Sequence, residues 1–230
     1  MRSTLKLLLA ASVLACLGGA CLAVARPAGA AGHLLFVATN GSDTSNCQTQ
    51  TAPCQTISYA VTQAASGDTI RVGAGTFKEN VTVPATFSSL TIVGQGASTV
   101  VTGTAPAGAT FFLNGTVTLQ TMSISGYAQD GRGIFDNADG SQFVQDEISG
   151  NTGGGIFNNG NGVSITQDLI SDNGGPSTGG AIFNNGNNVV VANDTITGNS
   201  TPTTGGALFN NGSPVTLTSD TITNNTATSS

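Results

Sequence analysis

The sequence predicts an all-β chain wound as a parallel β-helix solenoid behind a short N-terminal capping helix. Three observations lead there. One phrase recurs four times, as Gly-Arg-Gly-Ile-Phe-Asp-Asn from Gly131, Gly-Gly-Gly-Ile-Phe-Asn-Asn from Gly153, Gly-Gly-Ala-Ile-Phe-Asn-Asn from Gly179 and Gly-Gly-Ala-Leu-Phe-Asn-Asn from Gly205, at steps of 22, 26 and 26 residues. Such a period marks units that bury their apolar faces only against their neighbours. Short alternating apolar runs then recur in step: Val117/Leu119, Val163/Ile165, Val189/Val191 and Val215/Leu217, each followed five residues on by Ile124, Ile170, Ile196 or Ile222. Finally, only one stretch after residue 31 carries a convincing helical period.

Taken in chain order, residues 1–31 read as a secretory signal peptide. Arg2 and Lys6 precede the apolar run Leu7 to Leu17, and small-residue cleavage sites follow at Ala23-Val24-Ala25 and Ala28-Gly29-Ala30. The run is short and broken by Gly18 and Gly19, so no membrane span is expected. Val13-Leu14-Ala15-Cys16 loosely matches a lipobox, but Leu14 fits it poorly, so lipid anchoring at Cys16 is the lesser alternative to ordinary secretion. After cleavage at Ala25 the basic residues are Arg26, Arg71, Lys78 and Arg132, against twelve acidic ones. No basic patch can form from so few cations, which argues against nucleic acid as a partner. Charged residues are 8% of the chain, yet regularly spaced Val, Ile and Leu run its whole length, which argues against disorder.

Residues 32–67 form the opening. His33 to Thr39 reads as a strand, Asn40-Gly41-Ser42-Asp43 as a turn, and Cys47 with Cys54 as a disulfide in an exported chain. A metal at these cysteines is disfavoured, since His33 is the sole histidine. Thr56 is placed to cap a helix with Ile57, Ala60, Val61, Ala64 and Ala65 on one face, and Gly67 to stop it. That helix would cover the first open layer of a solenoid.

Residues 68–230 carry the coils. Thr69-Ile70-Arg71-Val72, Val81-Thr82-Val83 and Leu90-Thr91-Ile92-Val93 alternate, with Gly73-Ala74-Gly75 as a turn. A shorter layer holds Phe143 and Ile148, and Asn151, Asn173, Asn199 and Asn225 stand three residues after the last apolar residue of their layers. Three strands of three to five residues per coil, at about 3.3 Å per residue, leave the rest for corners where Asn and Gly tolerate left-handed angles. Within the repeated phrase, alternation sends the aliphatic residue and the Phe to opposite faces. The favoured assignment has Ile134, Ile156, Ile182 and Leu208 inside and Phe135, Phe157, Phe183 and Phe209 in an outer or corner stack, with the reverse as the alternative. Asn at equal positions can bond to its copy one coil away. The final Thr226-Ala227-Thr228-Ser229-Ser230 has no capping helix, so an open C-terminal coil is expected either to self-associate or to continue in a longer protein.

The opening Phe36-Val37-Ala38-Thr39-Asn40-Gly41-Ser42-Asp43, then Pro53-Cys54-Gln55-Thr56-Ile57, Gly67-Asp68-Thr69-Ile70-Arg71-Val72 and Gly75-Thr76-Phe77, together with the Gly-Gly-x-Ile-Phe-Asn-Asn train, resembles exported right-handed parallel β-helix proteins of the pectate-lyase-like superfamily. The repeats also resemble those of polymorphic outer-membrane proteins, although their Phe-x-x-Asn hallmark is out of register, Gly186 standing three after Phe183. The resemblance covers roughly residues 34–230 and implies the fold, with polysaccharide or cell-surface glycan as partner. Activity does not follow from fold. A pectin hydrolase of this kind would show clustered Asp, Gly-His-Gly and Arg-x-Lys, and the chain has neither of the last two. A lyase would need a cationic base, which only Arg71, Lys78 or Arg132 could supply, and the first two lie near the N-terminal cap.

The candidate catalytic set is therefore Arg132 with Asp130 and Asp136, in a segment that also holds Asp139 and Asp146; the plainer reading is a turn-rich corner with Asp on backbone amides. Asp146, Asp168, Asp194 and Asp220 form a second constellation at steps of 22, 26 and 26. In register they would stand about 4.8 Å apart and need relief, either from solvated, hydrogen-bonded turns or from Ca²⁺ between them. No other cofactor is implied. Asn-x-Ser/Thr sequences at Asn40, Asn80, Asn114, Asn193, Asn199, Asn211 and Asn224 follow from composition and are given no role. The expectation is a secreted or surface-exposed β-helix that binds glycan, adheres or presents a surface without catalysis. The alternative is a lyase-like enzyme acting on an extracellular acidic polysaccharide.

Overall fold

The computed structural model describes residues 32–104, 108–126, 131–175 and 179–228. The signal-peptide residues, Cys16 and Asp130 lie outside them. Every pairing between strands is parallel, and equivalent residues of successive repeats lie side by side. One sheet stacks 81–83, 109–113, 132–136, 156–158, 182–184 and 208–210, giving six layers. In the coil that begins at Ile156, the chain runs through strands 156–158, 164–166 and 169–171 before rising to 182–184.

Alternation explains the core. Ile134, Ile156 and Ile182 are at most 1% exposed, and in the other two strand columns Leu119, Phe143, Ile165 and Val191, and Ile124, Ile148, Ile170 and Ile196, are equally closed. The shorter layer thus keeps register with its neighbours. The last coil has no layer over it among the described residues, and Leu217 and Ile222 are 44% and 43% exposed.

Two corners of each coil use a left-handed residue. Thr121, Gln145, Gln167, Asn193 and Ser219 have φ of 53° to 62°, and Gly150, Asp172, Gly198 and Asn224 serve the next corner. Each is followed by an acid or an asparagine turned into the stack, with Met122 the exception in the first layer. The third corner demands glycine for space: a Cβ on Gly186 would lie 1.8 Å from the Gly160 carbonyl oxygen one coil below.

The helix spans Ile57–Gln63, with the Thr56 hydroxyl accepting the Tyr59 amide, and packs on strands 34–37, 69–72 and 81–83. It ends earlier than the sequence suggested. Ala64 is already extended, and the Asp68 carboxylate takes the Ala65 and His33 amides at 2.8 and 2.6 Å, drawing the chain into the first coil before Gly67. Glu79 accepts the Ile57 and Ser58 amides, both at 2.8 Å, an anion on the helix N-terminus that binds cap to coil. Glu79→Ala is expected to cost about 1–2 kcal/mol, read as a lower unfolding midpoint in denaturant.

Candidate functional site

The phrase Ile-Phe-Asn-Asn-Gly resolves residue by residue. The aliphatic residue fills the core, and the Phe faces outward. Phe112, Phe135, Phe157, Phe183 and Phe209 stack with ring centroids 4.6–5.2 Å apart, confirming the outer assignment and extending it one layer back. The first Asn is buried in a ladder: Asn158 Nδ2 donates to Asn184 Oδ1, and Asn184 Nδ2 to Asn210 Oδ1, both at 2.7 Å. The second Asn is exposed and runs the opposite way, Asn159 donating to Asn137 and Asn185 to Asn159 at 2.8 Å.

The acids near Arg132 stand at the heads of such columns. Asp136 occupies the position of Asn158 one coil earlier, is fully buried, and accepts the Ala138 amide and the Ser141 hydroxyl through Oδ1. Burial is the largest cause raising its pKa to about 6. Asp139 heads the column of Asn161 and Asn187, accepting the Asn161 amide at 2.7 Å. Arg132 lays its guanidinium carbon 5.0 Å from the Phe157 ring centre and 5.6 Å from that of Phe135. Arg132 and Asp136 thus serve different layers of the wall, the first on the outer stack and the second inside it.

Asp146, Asp168 and Asp194 are 1–2% exposed, so the corner is buried rather than solvated. Each lends Oδ1 to the amide of its counterpart one coil nearer the N-terminus: Met122 to Asp146 at 2.9 Å, Asp146 to Asp168 and Asp168 to Asp194 at 2.7 Å, and Asp194 to Asp220 at 2.9 Å. The Oδ2 atoms of the first three are buried without a hydrogen bond. Burial drives their pKa values to about 8, 9 and 7, with the neighbouring carboxylates adding to the rise at Asp168. Raised this far, the carboxyls of Asp146 and Asp168 would hold a proton at neutral pH, which would relieve the repulsion along the column. Among the described residues no three His, Cys, Asp or Glu side chains are grouped to hold a metal ion.

A different surface gathers unused chemistry. On the outer face of the second-strand column, Phe36, Arg71, Val93 and Gln120 stand in one row across adjacent strands. The strand pair 34–37 and 69–72 is walled by the loop closed by the Cys47–Cys54 disulfide, whose backbone bonds to it: Phe36 N–H donates to Cys47 O at 2.7 Å and Cys54 N–H to Phe36 O at 2.9 Å. A cavity of about 340 Å³ opens between wall and sheet, lined by Phe36, Asn40, Gln50, Pro53, Arg71 and Gln95 among others. A second, of about 390 Å³, shares Arg71, Val72 and Gln95 and continues toward Gln120. Sequence reasoning passed over this groove because it placed Arg71 beside the cap. The available signal was an isolated cation alternating with buried Ile70 and Val72.

No family model matches the chain, and no curated protein is similar to it in sequence. Solved structures are. Pectin methylesterase from carrot superposes with a TM-score of 0.60 at 18% identity, over 84% of this chain and 65% of that one. Pectate lyase Pel9A gives 0.52 at 15%, over 74% and 55%, and Escherichia coli YbhC 0.55 at 15%, over 77% and 58%. The chain thus spans 55–65% of the length of these structures. At such identities the likeness establishes the fold alone, a right-handed parallel β-helix. The likeness of the repeats to polymorphic outer-membrane proteins rests on the quoted motifs alone.

Proposed function

We propose that the chain is an extracellular, non-catalytic β-helix that binds polysaccharide through its outer strand faces. One observation carries this reading: of the candidate catalytic side chains, the two among the described residues, Asp136 and Arg132, are built into the solenoid wall. Asp136 is closed inside the wall at the head of an asparagine ladder, and the Arg132 guanidinium lies on the phenylalanine stack. A general base must reach the proton it removes, and Asp136, at 0% exposure, is out of reach of a polymer. Support for glycan as ligand comes from the fold shared with pectin-processing enzymes and from outer faces rich in Thr, Ser, Gln and Asn. An extracellular setting is supported by the disulfide. No helix among the described residues is long and apolar enough to cross a membrane.

The test is incubation with a panel of uronate polysaccharides, followed at the ultraviolet absorbance of unsaturated products and by titration of released acid. We expect neither signal, while the same panel retards the protein in affinity electrophoresis. Turnover abolished by Arg132→Ala would replace this reading with the lyase-like one.

A further inference from the structure

We propose that the groove around Arg71 is a subsite for an anionic sugar unit, its guanidinium taking a carboxylate or sulfate while Phe36 and Pro53 face the apolar side of the ring. This deepens the glycan-binding reading and rests on it. Arg71 is exposed, and among the described residues it takes part in no hydrogen bond or ion pair. None of the residues lining the two cavities is acidic. In a chain with twelve carboxylates and few cations, this leaves a local positive site where a carbohydrate anion is drawn. A guanidinium presents paired donors that match the two oxygens of a carboxylate or sulfate.

The surroundings suit a sugar. Asn40, Gln50 and Gln95 line the cavity with groups that both donate and accept, as hydroxyls require. Its volume falls in the range of small-molecule sites, about 300–1,000 Å³. The frame is fixed before any ligand arrives. The disulfide and the backbone bonds of Cys47 and Cys54 hold the wall. Opposite, the strand 90–102 breaks register between Val93 and Val100, and this bulge carries Gln95 over the groove. Buried Thr99 staples the bulge, its hydroxyl donating to Gly73 O at 3.0 Å and accepting the Gln95 amide at 2.9 Å. Preorganisation of this kind lowers the ordering cost of binding. The row from Phe36 to Gln120 crosses four strands, roughly 14 Å at the usual spacing, so an oligosaccharide would lie along the solenoid axis.

Isothermal titration would use oligogalacturonate, its fully methyl-esterified form and a sulfated oligosaccharide, against the full chain and its variants. The free acid or the sulfated ligand is expected to bind the wild type, and to bind at least tenfold more tightly than the neutral ester. The tighter of the two identifies the natural anion. Arg71→Gln should weaken the charged ligand by about tenfold or more while melting as the wild type does. Arg71→Lys should recover part of the loss, as a point charge without the fork. Lys78→Gln, on another strand column, should bind normally. Equal affinity for acid and ester overturns the proposal, as does wild-type binding by Arg71→Gln; in the second case the glycan-binding reading survives with its site elsewhere. A wild type that binds none of the three overturns both.

Discussion

The unfolding midpoint falls as pH rises from about 4 to about 9, and Asp168→Asn flattens that fall. Asp146, Asp168 and Asp194 have pKa values near 8, 9 and 7, against 3.8 for an ordinary Asp. Below pH about 4 the folded and unfolded chains both hold these protons, and the column costs nothing on this account. Between there and the folded pKa values, the unfolded chain has released protons that the folded column retains, so each step up in pH favours unfolding. Each retained proton contributes a slope of about −1.4 kcal/mol per pH unit. Above pH about 9 these groups have ionised in both states and the slope vanishes. Asn at position 168 keeps an oxygen for the Asp146 amide but cannot titrate. Denaturant unfolding at pH 5, 6 and 7 should show its slope shallower than wild type by roughly one proton's worth. Parallel slopes would mean that Asp168 is ionised in the folded state. The slope is the readout because the new Nδ2 group is buried where Oδ2 stood without a partner, which adds its own offset at every pH.

The coils were legible because a solenoid writes its contacts into its period. Once Ile156, Ile182 and Leu208 occupy equal positions in a repeat, stacking follows from the need to bury them. Alternation puts Phe157 and Phe183 on the face opposite Ile156 and Ile182, and burial of the two Ile with stacking of the two rings decides which face turns outward. The fate of the acids was less legible. An Asp at a corner reads the same whether its carboxylate faces water or the amide of the next coil, and only the handedness of Gln145, Gln167 and Asn193 turns it inward. In the sequence Asp136 and Arg132 fall in one acid-rich segment; in the structure Arg132 lies on the outer phenylalanine stack and Asp136 is closed inside the wall. The helix end escaped notice because Asp68, which terminates it, acts through His33 and Ala65, contacts that no local pattern encodes. The Arg71 groove escaped for a similar reason. Its wall comes from the disulfide loop and its rim from a bulge, both out of period with the repeats.

Asn173→Ala should be among the most destabilising polar substitutions in the chain, at about 3–5 kcal/mol. Asn173 is 1% exposed. Its Nδ2 donates to Ile148 O at 2.8 Å and to Asn199 Oδ1 at 2.9 Å, and its Oδ1 accepts from the Asn151 amide at 3.1 Å and Asn151 Nδ2 at 2.7 Å. Alanine removes all four bonds. Asn199 Oδ1 and Asn151 Nδ2 keep other partners, but the buried Asn151 amide and Ile148 carbonyl lose these bonds with no water to replace them, at about 1–3 kcal/mol for each group stranded. The loss is also directional. Coils in a solenoid are stabilised by their neighbours, and those after residue 173 end in a layer whose Leu217 and Ile222 are already open. Amide hydrogen exchange should therefore rise first in residues 179–228, before the capped N-terminal coils loosen. Asn159→Ala is the control. It too breaks two rungs of an asparagine ladder, but Asn159 is exposed and water replaces both bonds, so its cost should stay within about 0.5 kcal/mol. Equal losses in the two variants would mean that the ladders act through backbone geometry, and that burial of their hydrogen bonds contributes little.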